Sequence, residues 1–246
     1  MTQPSYDALV LAGGRARRLG GISKPDVVVG GRRLLAHVLG AVDRPDVRRV
    51  VVVGPPTLAL PTGVERTLED PSDGGPVAGI AAGLAALRDG GEPAWVLVLA
   101  CDVPRVAGAV PLLVDAAGLG ATDGTTAACD GVVLVDDDGR DQPLVGLYRR
   151  AALEAAVARL GVGAGADGGR SGVRGASVRA LVDALDLVRL ADVGHHGVDV
   201  DTWTDVRALD AKGPAVSGAT RGTMTGQTDA RPDVVPEAPP DAGGAA

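Results

Sequence analysis

A glycine- and arginine-rich run, Leu11-Ala-Gly-Gly-Arg-Ala-Arg-Arg-Leu-Gly-Gly-Ile-Ser-Lys-Pro25, has the makings of an anion-binding loop. Gly13 and Gly14 would let backbone N–H groups come close to a polyphosphate. Arg15, Arg17, Arg18 and Lys24 supply positive charge beside them. Lys24 stands out because Lys212 is the only other lysine among 24 basic residues. The run matches neither the Walker pattern nor the Gly-x-Gly-x-x-Gly dinucleotide fingerprint, so a phosphate grip of another kind is needed and a dehydrogenase is disfavoured. A surface turn carrying solvated arginines would account for the same residues.

Four further segments offer carboxylates. Cys101-Asp102-Val-Pro104 follows an apolar run. Its Asp102 could hold Mg²⁺ against substrate phosphates or cap the next helix. Leu68-Glu-Asp70 precedes Gly74-Gly-Pro-Val-Ala-Gly79, and Asp70 before Pro71 reads by itself as a turn residue. Val198-Asp-Val-Asp-Thr202 and Asp138-Gly-Arg-Asp-Gln-Pro143 are the other two. Cys101 and Cys129 form no metal or redox spacing. Cys101 reads as a small buried neighbour, since no histidine is placed to activate it. His195 and His196 lie in a glycine-flanked turn, read as surface residues, and lack a third ligand for a metal.

Those segments must be positioned by regular elements. Asp7–Ala12, Val50–Val53 and Trp95–Ala100 read as three buried strands. Leu34, Leu35, Val38, Leu39 and Val42 mark a helix after the first, and Val77, Ile80, Leu84 and Leu87 a helix before the third. Strand alternating with helix means parallel pairing through crossovers, an α/β fold. In the second half, Val132–Val135 and Leu144–Tyr148 read as strands joined by Asp136–Gly139, and Arg149–Leu160 as a helix. Gly161–Gly175 has few apolar anchors and reads as a loop, with a lid as one use. Ser177–Leu185 resumes a helical pattern, Leu187–Leu190 a strand, and Thr202-Trp-Thr-Asp205 has the form of a helix start. These elements give one domain over residues 1–212. Residues 213–246 are rich in Pro, Gly, Ala, Thr and Asp with almost no apolar anchors, the composition of a disordered tail.

Composition bounds the function. Hydrophobic residues make up 46% and Phe is absent, so the core must be Val, Leu and Ala with a little Ile. A net charge of −7 disfavours a general nucleic-acid binder. No run approaches the roughly 20 apolar residues of a membrane helix, and the N-terminus lacks a secretory pattern, so a cytoplasmic protein is expected.

The pattern Leu-Ala-Gly-Gly-x-x-x-Arg-x-Gly with a following lysine resembles the signature of the nucleotidyltransferases that activate sugars, terpenoid precursors and pterins. Within that superfamily Gly13-Gly-Arg-Ala-Arg-Arg-Leu-Gly-Gly21 is similar to the loop of the MobA-like molybdenum cofactor guanylyltransferases. The likeness spans about residues 7 to 210, specific in its first half and looser in its second. It implies a three-layer α/β/α architecture with a mostly parallel sheet, the Rossmann-like nucleotidyltransferase fold of the nucleotide-diphospho-sugar transferase type. It implies transfer of GMP from GTP to a phosphate on molybdenum-molybdopterin with release of pyrophosphate, and Mg²⁺ as cofactor.

By the same resemblance Leu11, Ala12, Gly13, Gly14, Lys24, Asp70 and Asp102 would hold the nucleotide. Arg18 and Lys24 would meet the developing charge, and Asp102 and Asp201 would hold the metal. The sequence departs from the family pattern at Asp199, where Asn is more usual, and at Gln142, where His is frequent. The alternatives are a nucleotidyltransferase using another base or acceptor (CTP; a sugar, terpenoid or phospholactate phosphate), or a nucleotide-binding regulator of the same fold.

Overall fold

The computed structural model describes residues 5–13, 15–16, 22–70, 72–88, 93–118, 129–162 and 173–211. Gly14, Arg18, most of the glycine-rich 161–175 run and the 213–246 tail lie outside the described residues.

Strand β1 (Tyr6–Leu11) is buried on both faces, as a central parallel strand must be. Tyr6, Ala8 and Val10 face one apolar cluster, and Leu9 faces another. Helix α1 (Leu34–Val42), placed by its apolar spacing, leads to β2 (Val47–Val53), which pairs parallel to β1. Strand β3 (Glu65–Thr67) adds to the outer edge of β2, and helix α2 (Pro76–Ala86) then carries the chain back to β4 (Trp95–Ala100) on the other side of β1. Helix α3 (Ala109–Ala116), strands β5 (Gly131–Val135) and β6 (Asp141–Arg149), helices α4 (Arg150–Val162) and α5 (Val178–Val182), strand β7 (Leu187–Ala191) and helix α6 (Trp203–Ala211) follow. The sheet order is β3-β2-β1-β4-β6-β5-β7, and β6 alone runs antiparallel to its neighbours.

Helices α1 and α3 cover one face through Leu35, Val38, Val110 and Leu113. Helices α2, α4 and α5 cover the other through Val77, Ile80, Leu153 and Leu181. The three-layer α/β/α arrangement expected from the sequence is present. One element that no sequence pattern marks is β3. It is three residues long, exposed and carries Glu65 and Arg66, so no apolar alternation marked it. Helix α2 lies close against β1 because it carries Gly83, where a Cβ would come within 2.0 Å of Leu9 Cδ1.

Two further pieces bring distant parts of the chain together. Val28–Val29 and Arg32–Arg33 form a tight hairpin. Its two turn residues, Gly30 and Gly31, both have positive φ (57° and 73°), which side-chain-bearing residues rarely adopt. Val27, Val29 and Leu34 from this region pack with Val200 and Val206, docking α6 on the hairpin. The start of α6 is fixed by Thr202, whose N–H (2.7 Å) and hydroxyl (2.8 Å) donate to the Asp205 carboxylate, the capping arrangement its sequence announced.

One buried charge cluster ties the layers. Asp7 is fully buried on β1 and accepts from Arg150 Nη2 at 2.6 Å and from Arg48 Nε at 3.2 Å. Removing the carboxylate would strand the Arg150 guanidinium in the interior, a change that typically costs about 3–5 kcal/mol. Asp7→Ala is therefore expected to lower the melting temperature by roughly 10 °C. Thermal denaturation checks this, and a drop below about 1 °C would show that the cluster contributes nothing. Among the described residues no helix is long and apolar enough to cross a membrane.

Candidate active site

The chain steps outward from β1 to β2 to β3 and then returns to place β4 on the opposite side of β1. Ligands of open α/β sheets collect at such a reversal, beyond the carboxyl ends of the strands. Here that point lies between Leu11 and Ala100, which are paired in register. A cleft of about 310 Å³ opens there, lined among others by Leu11, Gly13, Lys24, Glu69, Asp73 and Asp102.

The strand ends are locked together before the cleft begins. The Cys101 N–H donates to the Leu11 carbonyl at 3.0 Å, and the Ala12 N–H to the Val53 carbonyl at 2.8 Å. Ala12 is thus buried behind the site, whereas Leu11 lines it. Gly13 is exposed, and a Cβ there would meet nothing within 4 Å. Across the cleft stands the N-terminus of α2. Gly75 adopts φ 88° at its cap and Pro76 opens the helix, where its missing N–H costs nothing. The positive end of that helix faces the cleft, a favourable place for an anion.

Lys24 arrives on a single turn of 3-10 helix, Lys24–Asp26, anchored by buried Pro25. Its ammonium nitrogen lies 2.5 Å from Asp102 Oδ2 and 2.5 Å from Asp201 Oδ1. Asp102 occupies the turn after β4, and its carbonyl accepts from the Val200 N–H at 2.9 Å, which draws the 198–201 segment onto that turn. Asp201 is steadied by its own N–H, which donates to Asp205 at the start of α6. Residues 24, 102 and 201 thus meet at one point, 177 positions apart at the extremes.

Asp199 joins them: one carboxylate oxygen each from Asp102, Asp199 and Asp201 lie within 4.8 Å of one another. Partial loss of solvation at an otherwise exposed position, with Asp201 and Asp102 as like-charged neighbours, raises the Asp199 pKa above the ordinary aspartate value. Burial works against a charged Lys24, but its hydrogen bonds to Asp102 and Asp201 outweigh that and hold the ammonium firmly protonated. Three carboxylates in reach of a common point are a hard-oxygen set that suits Mg²⁺ or Mn²⁺ rather than a soft metal. The residues present therefore fit a divalent cation, with Lys24 as the group that competes for two of its ligands. Cys101 is buried, and burial beside Asp102 pushes its thiol far above the range in which it could act as a nucleophile, as the sequence reading expected.

The remaining sequence candidates fall in different places. Gly14 and Arg18 lie outside the described residues. Asp70 is exposed and lines a neighbouring groove with Gly74, Ala78 and Arg174, so the cleft does not include it. Glu69 and Asp73 line the cleft instead. The sequence reading missed both, although Asp73 stands in a Ser-Asp-Gly-Gly turn and takes a positive φ of 61°. Gln142 donates to Asp136 Oδ2 at 3.0 Å and so braces the β5–β6 turn. Of the adjacent histidines, His195 is exposed as expected. His196 is not a free surface residue: it is half-buried, its ring filling the space that a Cβ at Gly108 or Gly194 would need.

The mostly parallel sheet with this strand order has the fold of nucleotidyltransferases. Solved structures share this fold, among them the following two. Molybdopterin-guanine dinucleotide biosynthesis protein A from Archaeoglobus fulgidus superposes with a TM-score of 0.59 at 21% identity, covering 84% of this chain and 97% of that one. Rv0371c of Mycobacterium tuberculosis H37Rv, determined in complex with manganese, gives 0.56 at 21% identity, covering 84% and 98%. At that identity the likeness concerns the fold. The family model of the MobA-like NTP transferase domain matches residues 8–182, the greater part of the chain. The chain belongs to this family. A curated relative, the molybdenum cofactor guanylyltransferase of Pseudomonas putida (strain KT2440), is 39% identical over 105 residues, 42% of this chain and 53% of that protein. The chain thus spans about half the length of the curated relatives it matches.

Proposed function

We propose that the protein transfers GMP from GTP to a terminal phosphate of a pterin acceptor of the molybdopterin class, with release of pyrophosphate. The observation that carries this reading is the convergence of Lys24, Asp102 and Asp201 at the sheet's reversal point. The family match supports the reaction class, and the name of the P. putida relative supports the donor and acceptor.

An oxygen of the acceptor phosphate attacks the α-phosphorus of the nucleotide in line. The bond to the leaving pyrophosphate breaks as the new phosphoanhydride forms, and no covalent enzyme intermediate is needed. The demand on the protein is therefore positioning and neutralisation of charge. Leu11 and the backbone at Gly13 and Gly14 hold the nucleotide against the end of β1. The N-terminus of α2 faces the polyphosphate with its positive dipole end. Lys24 exchanges its carboxylate partners for phosphate oxygens as the substrate enters, and Arg18 adds a second cation. Asp102 and Asp201, with Asp199 in reach, would hold Mg²⁺, which would supply neutralisation of the negative charge that develops as pyrophosphate leaves.

Comparing thermal stabilisation by GTP, CTP, ATP and UTP, each with Mg²⁺, tests the nucleotide assignment. A ligand that binds only the folded state raises its melting temperature according to its affinity. GTP is expected to give the largest shift. A larger shift with CTP would retain the chemistry and remove the guanine assignment, and no shift with any of the four would remove the nucleotide site.

A further inference from the structure

A second cavity, about 590 Å³ in volume, is lined by the 28–33 hairpin, α1, the turn after β4, the 194–196 turn and the end of α6. Its polar lining is Arg32, His37, Arg105, His196 and Asp210. In a chain of net charge −7, two guanidinium groups and two imidazoles around one cavity form a local excess of cationic and donor groups.

The condition of these side chains points to a ligand. Almost every arginine whose side chain is described has a partner within the protein: Arg150 holds Asp7, Arg49 holds Glu65, Arg189 holds Asp141, and Arg66 and Arg174 hold carbonyls. Among the arginines whose side chains are described, the two with neither an ion pair nor a hydrogen bond are Arg32 and Arg105, and both line this cavity. Both also lie at fixed backbone positions. Arg32 belongs to the glycine-turned hairpin; its guanidinium is laid along α1 over Gly40, where a Cβ would come within 2.6 Å of Nη2, and it borders the adjoining groove as well as this cavity. Arg105 follows the Asp102 turn.

The histidines and the carboxylate are held in place by contacts of their own. The His37 ring is hydrogen-bonded through Nε2 to the Val29 carbonyl at 2.9 Å. The His196 ring is seated in the slot left by Gly108 and Gly194. The cavity's carboxylate, Asp210, accepts from the Gly30 N–H through Oδ1 at 2.6 Å and pairs with neither Arg32 nor Arg105. Charged guanidinium groups with five donors each, left without acceptors around a preformed cavity, match the needs of an oxyanion.

We infer that this cavity is a second small-molecule site, separate from the nucleotide cleft, and that it takes a phosphate group through Arg32 and Arg105 with His196 beside them. The two walls carrying Arg105 and His196 continue into the segments that present Asp102 and Asp201, which are joined by the Val200 N–H bond to the Asp102 carbonyl. A ligand drawn between those walls would therefore bear on the geometry of the carboxylates. The inference stands without the nucleotide assignment, because none of its residues belongs to the cleft.

Inorganic phosphate and glucose 1-phosphate, each at 10 mM in metal-free buffer with chelator, serve as probes. Melting temperatures are read for the native protein, Lys24→Ala and the double variant Arg32→Ala/Arg105→Ala. An anion held with a Kd near one tenth of its concentration raises the melting temperature by roughly 3–6 °C in a domain of this size. That increment is expected in the native protein and in Lys24→Ala and absent from the double variant, which also cancels any general salt effect. A larger increment with glucose 1-phosphate assigns the site to phosphate esters, and an equal or smaller one to free phosphate. Loss of the increment in Lys24→Ala, its survival in the double variant, or no increment in the native protein with either probe would overturn the inference. A fall of several degrees in the double variant without ligand would do so too, because unpartnered arginines should leave the bare protein's stability unchanged.

Discussion

Asp102→Asn is expected to lower nucleotidyl transfer by about a thousandfold while leaving the fold intact. The carboxylate sits in the turn beyond β4, outside both apolar clusters, so the substitution removes charge from the cleft without opening the core. The amide keeps the shape and loses the anionic oxygen that a hard cation requires. Two readouts separate this from a general defect. The Mg²⁺ concentration giving half-maximal rate should rise at least about tenfold, and the affinity for Mn²⁺ without nucleotide, followed by the spin signal of the free ion, should fall in step. An Mg²⁺ dependence unchanged from the native protein would remove Asp102 from the metal site.

Lys24→Ala should also slow turnover, by about a hundredfold to a thousandfold, the usual effect of removing one preorganised charge from a transition state. Its effect on the metal has the opposite sign. Without nucleotide the Lys24 ammonium lies 2.5 Å from both Asp102 and Asp201 and competes for the carboxylates that a cation would use. Removing it leaves Asp102, Asp199 and Asp201 as three neighbouring carboxylates with no lysine between them. Affinity for Mn²⁺ in the nucleotide-free protein is then expected to rise about tenfold, the scale of a charge–charge term near a protein surface. Slower turnover with tighter metal is a combination that misfolding does not produce. If Lys24→Ala and Asp102→Asn weaken Mn²⁺ alike, Lys24 is a structural support of the carboxylates and has no separate role toward phosphate.

Much of this arrangement was legible from residue patterns, for identifiable reasons. The strands of the first half are continuous apolar runs closed by glycine or proline, and burial on both faces of a parallel sheet requires that pattern. The helix start at Thr202 was legible because a capping box is a local signal: the hydrogen bonds it announces connect residues three apart. Strand β3 was hidden because an exposed edge of three residues needs no apolar side chain.

Of the site, Lys24 and Asp102 could be read from their motifs, but their direct ion pair could not. It depends on how far one turn of 3-10 helix turns the chain back toward β4. Glu69 and Asp70 show the limit most directly. Glu69 lines both the cleft and the neighbouring groove whereas Asp70 lines only the groove, and sequence spacing does not say which of two adjacent carboxylates reaches the cleft. His196 was read as a surface residue because its glycine neighbour resembles a turn. The contact that seats its ring comes partly from Gly108, 88 positions away, which no local pattern reports.

Nucleotidyl transfer at the Lys24–Asp102–Asp201 centre is tested by incubating GTP labelled in the α-phosphate and Mg²⁺ with the protein and isolated molybdopterin, with and without molybdate. Label in a pterin product and released pyrophosphate are then measured together. Equal amounts of both are expected, dependent on acceptor and Mg²⁺ and reduced by about a thousandfold in Asp102→Asn. Undiminished transfer in that variant, or an active acceptor preparation that yields neither product nor pyrophosphate from any of the four nucleotides, would contradict transfer at this centre.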